Sequence, residues 1–285
     1  MSVNNKDDSE RIKNGDCYPR YLYKYFSFDS KHHYNDILLN DLLYFSSPVN
    51  FNDPFDCSLS ISYKGKDKEF VKNYLVNEIL PLQVSNVDEE MKHKAELFIE
   101  EKYSELDPNL TDNHNMLQHN YLNGNLSSGV CCFSELNNNI LMWGHYADKH
   151  SGFCLRFNYT KLVKYICKHN EENGLTNYLG KMDYRLSYPK LSGYKRDTMA
   201  KSLFIKSFDW SYEKEWRIFY FEGAGAKLKL PANIIDAIYL GIQINQDNED
   251  YVKKVVRNKP NKMKLYKMSK VENRFALKPV PLINI

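Results

Sequence analysis

The sequence has no run of eighteen consecutive apolar residues, so no segment has the length and character of a membrane-spanning helix. It lacks a Gly-x-Gly-x-x-Gly and a phosphate-loop signature, which removes both standard nucleotide sites built on a glycine-rich turn before a helix. Its opening residues, MSVNNKDDSE, are polar and charged and carry no secretory signal, so the expected compartment is the cytoplasm. Cysteine is sparse and unpatterned. The six, at 17, 57, 131, 132, 154 and 167, fall mostly in apolar segments with no repeated spacing, which reads as reduced core thiols and excludes a disulfide framework. A surplus of one charge sign is missing too, since the net charge is only +3.

What is plentiful is aromatic side chain: 22 Tyr and 15 Phe in 285 residues. Tyrosine joins an apolar body to a polar tip and suits half-buried pocket walls and interfaces as well as core. Abundant Asn, Lys and Ile beside it give a plain compositional bias as the other explanation. Charge is unevenly spread, with ten Lys or Arg and a single acid, Glu272, between Tyr251 and Lys278. That basic C-terminal segment admits two readings, a nucleic-acid footprint or a solvated face beside the acid-rich 88–107 stretch. No zinc-finger spacing or other reading-head motif accompanies it.

The order of patterns predicts a flexible N-terminal stretch over 1–19 and one α+β domain over 20–285. RYLYKYFS at 20–27 is aromatic and partly alternating, as a strand is. A short helix and a strand around Leu43, Tyr44 and Phe45 follow, ended by Pro48 and FNDPFD. Apolar residues at helical spacing (Phe70, Val71, Tyr74, Leu75, Ile79, then Met91, Ala95, Phe98, Ile99) predict a helical insert over about 67–122, its first helix ending near Pro81. GVCCFSE and SGFCLRFN read as strands around a short helix, NNILMWGHYAD, and the second half of YEKEWRIFYF as another strand. Pro231 marks an expected helix start before a strand at Ala237–Leu240. A helix over 247–256 and a strand at KMKLYKM close the pattern. Helices and short strands alternate without a βαβ rhythm, which favours α+β over a doubly wound sheet.

Chemistry-bearing residues gather in three blocks. WGHYADKHSGF contributes Trp143, His145, Tyr146, Ser151 and Phe153 to an apolar-walled polar pocket or, alternatively, to a capped helix with ordinary hydrogen bonds. Its His-x(4)-His spacing matches no established metal-ligand pattern, and no metal is expected. In the second block Glu213 and Glu215 stand two apart before a strand. They project to one side if the backbone there is extended, and held together they can divide roles, one charged and one protonated. Glu215 can equally be structural, paired with Lys206 or Arg217. The third block joins Tyr23, Lys24 and Tyr25 to Asn52 and Asp53. Lys24 either holds an anion or snorkels from an apolar face, and Asp53 either positions a ligand or only folds its turn.

The same residues carry a resemblance. LYKYF at 22–26, LYFSSPVNFNDPFDC at 43–57, CFSE at 132–135, LMWGHYADKHSGFCLRF at 141–157, Tyr184, the block from Lys206 through WSYEKEWRI, and IIDAIYLG at 234–241 resemble the bacterial and phage domain-of-unknown-function family 2971. These blocks run from about residue 20 to 245. A looser resemblance is to mono-ADP-ribosyltransferase-like domains, whose site also comes from three blocks. It implies a central split sheet of short mixed or antiparallel strands and NAD as substrate. It further implies Glu215 as the catalytic carboxylate with Glu213 beside it, Tyr146 or Ser151 lining the nicotinamide pocket, and Lys24 gripping phosphate or ribose. Tyr23, Tyr25, Asn52, Asp53, Trp143, His145, Phe153 and Arg217 complete the expected dinucleotide surface. Lys24 stands where that superfamily usually has Arg or His, and the Ser-Thr-Ser form of its middle block is absent. Two other functions fit the same blocks: a nucleotide-binding module without chemistry, and a protein-interaction or phage-defence-associated scaffold. The acceptor of any ADP-ribose and the oligomeric state have no signature in the sequence.

Overall fold

Strands that lack a polar outward face lie in the middle of a sheet covered on both sides, and the three at the centre of this chain's main sheet are largely buried. In the computed structural model, which describes residues 18–29, 33–83, 87–173, 175, 177–194 and 198–282, they are β1 (Tyr21–Phe26), β4 (Gly129–Ser134) and β5 (Phe153–Asn158). Residues 1–17 of the expected flexible stretch lie outside the described residues. The remaining strands are β2 (Leu42–Tyr44), β3 (Ile61–Ser62), β6 (Asn177–Lys181), β7 (Asp183–Arg185), β8 (Leu191–Ser192), β9 (Ile205–Ser207), β10 (Glu215–Tyr220), β11 (Lys227–Lys229), β12 (Ile235–Leu240), β13 (Lys264–Lys270) and β14 (Leu277–Pro281). The helices are α1 (Tyr34–Asn40), α2 (Lys68–Tyr74), α3 (Leu80–Gln83), α4 (Glu89–Leu106), α5 (Thr111–Leu126), α6 (Ile140–Tyr146), α7 (Tyr159–Asn173), α8 (Thr198–Ser202) and α9 (Gln246–Asn258).

The result is the expected α+β class. Eight strands form one mixed sheet in the order β14-β13-β12-β5-β1-β4-β10-β6, antiparallel throughout except for the parallel pair β12–β13. Alternation along the strands feeds two cores. Leu22, Phe26, Phe133, Leu155, Phe157 and Ile218 face the larger one, where α7 contributes Leu162 and Ile166 and α9 contributes Val252, Val255 and Val256. Tyr25, Cys154, Ala237 and Tyr239 face the other side, under Met142, Trp143 and Ala147 of α6 and its following turn.

The sheet has a seam. Six residue pairs register β1 with β5 and six register β10 with β4, but β1 and β4 share one, Tyr23 with Ser134. Lys24 fills the breach: its Nζ donates to the Cys132 carbonyl at 3.1 Å and lies over the rings of Phe26 and Phe133.

Two prolines behave differently from expectation. Pro81 does not end its helix, because a π turn over Leu75–Ile79 widens the register ahead of it and accommodates a residue without an N–H. Pro231 opens a turn rather than a helix, and β12 begins at Ile235, two residues before the expected strand. The cations of the basic segment answer acids other than those of 88–107. Lys253 and Lys267 pair with Glu249, and Lys259 pairs with Asp41, while Glu89, Glu90 and Glu105 of α4 pair with lysines of their own helix. Among the described residues no helix is long and apolar enough to cross a membrane.

Candidate functional site

The seam opens into a cavity of about 130 Å³ between β1, β4 and β10, roofed by α6 and by the turn after Phe51. One wall is apolar and aromatic, built by Tyr23, Tyr25, Phe51, Phe133 and Met142. The opposite wall is a cluster of ions. Lys206 Nζ lies 2.6 Å from Glu213 Oε2, 2.9 Å from Glu215 Oε2 and 3.5 Å from Asp56 Oδ2. Arg217 grips Asp56 with both terminal nitrogens, at 2.7 and 2.5 Å, and Glu215 through Nε at 2.6 Å. Every member is buried, with Glu213 at 2 % exposure, Glu215 at 3 % and Arg217 at 1 %.

Local geometry explains how these charges meet. The expectation that Glu213 and Glu215 alternate along extended backbone is not met. Glu213 ends a 3-10 helix over Phe208–Glu213, and Lys214, in the left-handed region at φ 45°, turns the chain into β10. The two carboxylates converge because both reach for Lys206. The Tyr184 hydroxyl accepts from the Glu215 amide at 2.8 Å and fixes where β10 begins. Asp56 arrives by the turn at 53–56, whose Asp53 Oδ1 accepts from the Phe55 amide at 2.9 Å.

The two glutamates are chemically unlike. Burial raises the carboxyl pKa of both, but beside Glu215 the charges of Arg217 and Lys206 overcome it and hold that carboxyl at about 2. For Glu213 burial is the larger effect, the attraction of Lys206 is offset by the negative charge of Glu215, and its pKa lies above the ordinary value. The Tyr146 hydroxyl donates to Glu213 Oε1 at 2.5 Å, and burial together with that carboxylate pushes the phenol far up, so it stays a donor. The thiol of Cys132, on the same wall, is also pushed well up by burial, which keeps it protonated and a poor nucleophile.

Of the residues expected at the site, Tyr23, Lys24, Tyr25, Asn52, Tyr146, Glu213, Glu215 and Arg217 line this cavity together. The others are elsewhere. Trp143 and Phe153 are fully buried in the two cores, and Trp143 Nε1 donates to the Asn137 carbonyl. Asp53 is occupied by its turn. His145 is exposed near Tyr212, and Ser151 bonds Asp148 with its hydroxyl. Cys132 and Met142 were not expected there, and Asp56 and Phe51, which flank the expected Asn52 and Asp53, had been given no role. Asp56 sits inside the FNDPFDC block, where an Asn-Asp-Pro turn followed three residues later by a second acid was the available signal.

No curated protein and no solved structure matches the chain. Residues 142–218, which run from α6 into β10 and carry Tyr146, Lys206, Glu213, Glu215 and Arg217, match the model of the family described as Protein of unknown function (DUF2971).

Proposed function

We propose that the protein is an NAD-consuming enzyme of the ADP-ribosyltransferase-like type. In this reading the seam cavity holds the nicotinamide ring, and Glu213, rather than Glu215, is the working carboxylate. The observation that carries this reading is the inequality of the two glutamates within one cavity. Glu215 is neutralised by Arg217 and Lys206. Glu213 has one cation and a tyrosine hydroxyl, and its pKa is raised. A carboxylate already matched by cations gains little when positive charge develops nearby, whereas an undercompensated buried one gains a great deal.

Size supports the same assignment. A cavity of about 130 Å³ is below the roughly 300–1,000 Å³ of whole-ligand sites, but a dry cavity of roughly 150 Å³ accepts benzene. One ring would enter between the aromatic wall and the ion cluster, and the rest of the dinucleotide would stay outside. The bond between nicotinamide and ribose C1′ would break with its electron pair passing to the ring. Glu213 would stabilise the sugar cation and take the proton of the water or acceptor hydroxyl that attacks C1′. Lys24, which lines the cavity and keeps a positive charge beside its bond to the Cys132 carbonyl, is the group for a phosphate or ribose oxygen.

The neutralisation of Glu215 also favours a second reading, a nucleotide-binding module without turnover. Heat unfolding with and without excess NAD, reading released nicotinamide in the same samples, separates them. The enzyme reading expects a higher midpoint with release that disappears in Glu213→Gln. A raised midpoint without release would leave the binding module, and no shift at millimolar NAD would remove both.

A further inference from the structure

A second cavity, about 520 Å³, lies between the turn after α6, the segment after β12 and the tip of the β13–β14 hairpin. It is larger than the seam cavity and falls within the roughly 300–1,000 Å³ typical of small-molecule sites. The turn that borders it has an unusual backbone. Asp148, Lys149 and His150 are consecutive left-handed residues, with φ of 45°, 51° and 75°, a conformation that side-chain-bearing residues disfavour. It is held from both sides: the His150 amide donates to the Trp143 carbonyl at 3.0 Å, and the Gln243 amide donates to the His150 carbonyl at 3.0 Å. Gly241 makes this approach possible, since a Cβ there would stand 2.0 Å from the His150 oxygen.

The strained turn brings His150 to the lining of the cavity, and its Nδ1 is buried without a hydrogen-bond partner. Burial also lowers the imidazole pKa, which keeps the ring neutral. Lys270 and Arg274 line the cavity from the hairpin, and among the described residues neither takes part in an ion pair. Glu272, the acid of the hairpin tip, is exposed and outside the lining. The apolar part of the lining includes Ile140, Ile242 and Phe275, and Phe275 is fully exposed at the tip. Two cations without an ion-pair partner among the described residues, beside an apolar floor under an exposed aromatic ring, ask for one kind of occupant.

We propose that this groove binds an amphipathic anion, with a carboxylate or phosphate head on an apolar body of ring or short-chain size. The head lies between Lys270 and Arg274, beside His150. The body covers Ile140 and Ile242, and Phe275 folds over it. The site is separate from the seam cavity and does not depend on the function proposed there.

The test is thermal unfolding of the full chain with octanoate, octyl phosphate or octanol at millimolar concentration. Saturable increases in midpoint with the anions but not with octanol are expected, and a response to only one anion identifies the head group. The increase should vanish in K270E/R274E and shrink in Phe275→Ala; all three side chains are exposed, so the unliganded variants should melt as the parent does. No increase with either anion, an equal increase with octanol, or an undiminished increase in K270E/R274E would overturn the proposal.

Discussion

The seam cavity and the hairpin groove are opposite solutions to the placing of charge. In the first, Asp56, Glu213 and Glu215 and two cations are buried and bonded to one another before anything arrives. In the second, Lys270 and Arg274 stand in solvent without partners among the described residues. A buried ion cluster is rigid and preorganised, and each member depends on the others because removing one leaves a charge in low dielectric. Exposed cations are stable alone and are available to an incoming anion. Chemistry is therefore expected at the seam and capture at the groove.

The strongest way to break this comparison is Arg217→Met. It leaves Asp56 and Glu215 buried without their main partner and should lower stability by about 3–5 kcal/mol, read as a reduced midpoint in chemical denaturation. A loss below about 1 kcal/mol would mean that the cluster is wet and adaptable. An acid titration of stability sharpens the difference between the glutamates. Glu215 has a depressed folded pKa, so its contribution is complete above its unfolded value of 4.5 and drains away as pH falls toward about 2. Glu213 acts in the other direction: with a raised folded pKa it binds its proton more readily when folded and offsets part of that loss. Glu213→Gln should therefore steepen the decline in acid, and Glu215→Gln should flatten it at the cost of lower stability at neutral pH. The smallest effect belongs to the groove, where Arg274→Glu should change unliganded stability by no more than about 0.5 kcal/mol. A larger loss would show that Arg274 has a structural partner.

Much of the architecture was legible because burial writes itself into runs of side chains. GVCCFS, FCLRFN and WRIFY read as strands and are strands of the main sheet, and residues of the three separated blocks do meet, at the breach between β1 and β4. Illegible were the points where a single backbone angle redirects a side chain. Lys214 and Cys57 adopt positive φ, and each directly follows a carboxylate of the cluster, Glu213 and Asp56. The left-handed run at 148–150 likewise separates Ser151 from Tyr146, five residues away, although both belong to one motif. Glu215 was the sequence's strongest candidate for catalysis, but its partners could not be weighed without distances. Lys206 serves both glutamates, and Arg217 serves only the second.

The single registered pair between β1 and β4 gives the sheet a line of perforation. On either side the strands are zipped by rows of backbone bonds; across it they are pinned at Tyr23 and Ser134 and bridged by the side chains of Lys24 and, just beyond β4, Tyr25. Under tension the two leaves would part there first. Each leaf would keep its own ladder intact as they parted. Lys24 is thus the latch of a door whose hinges are the strands themselves.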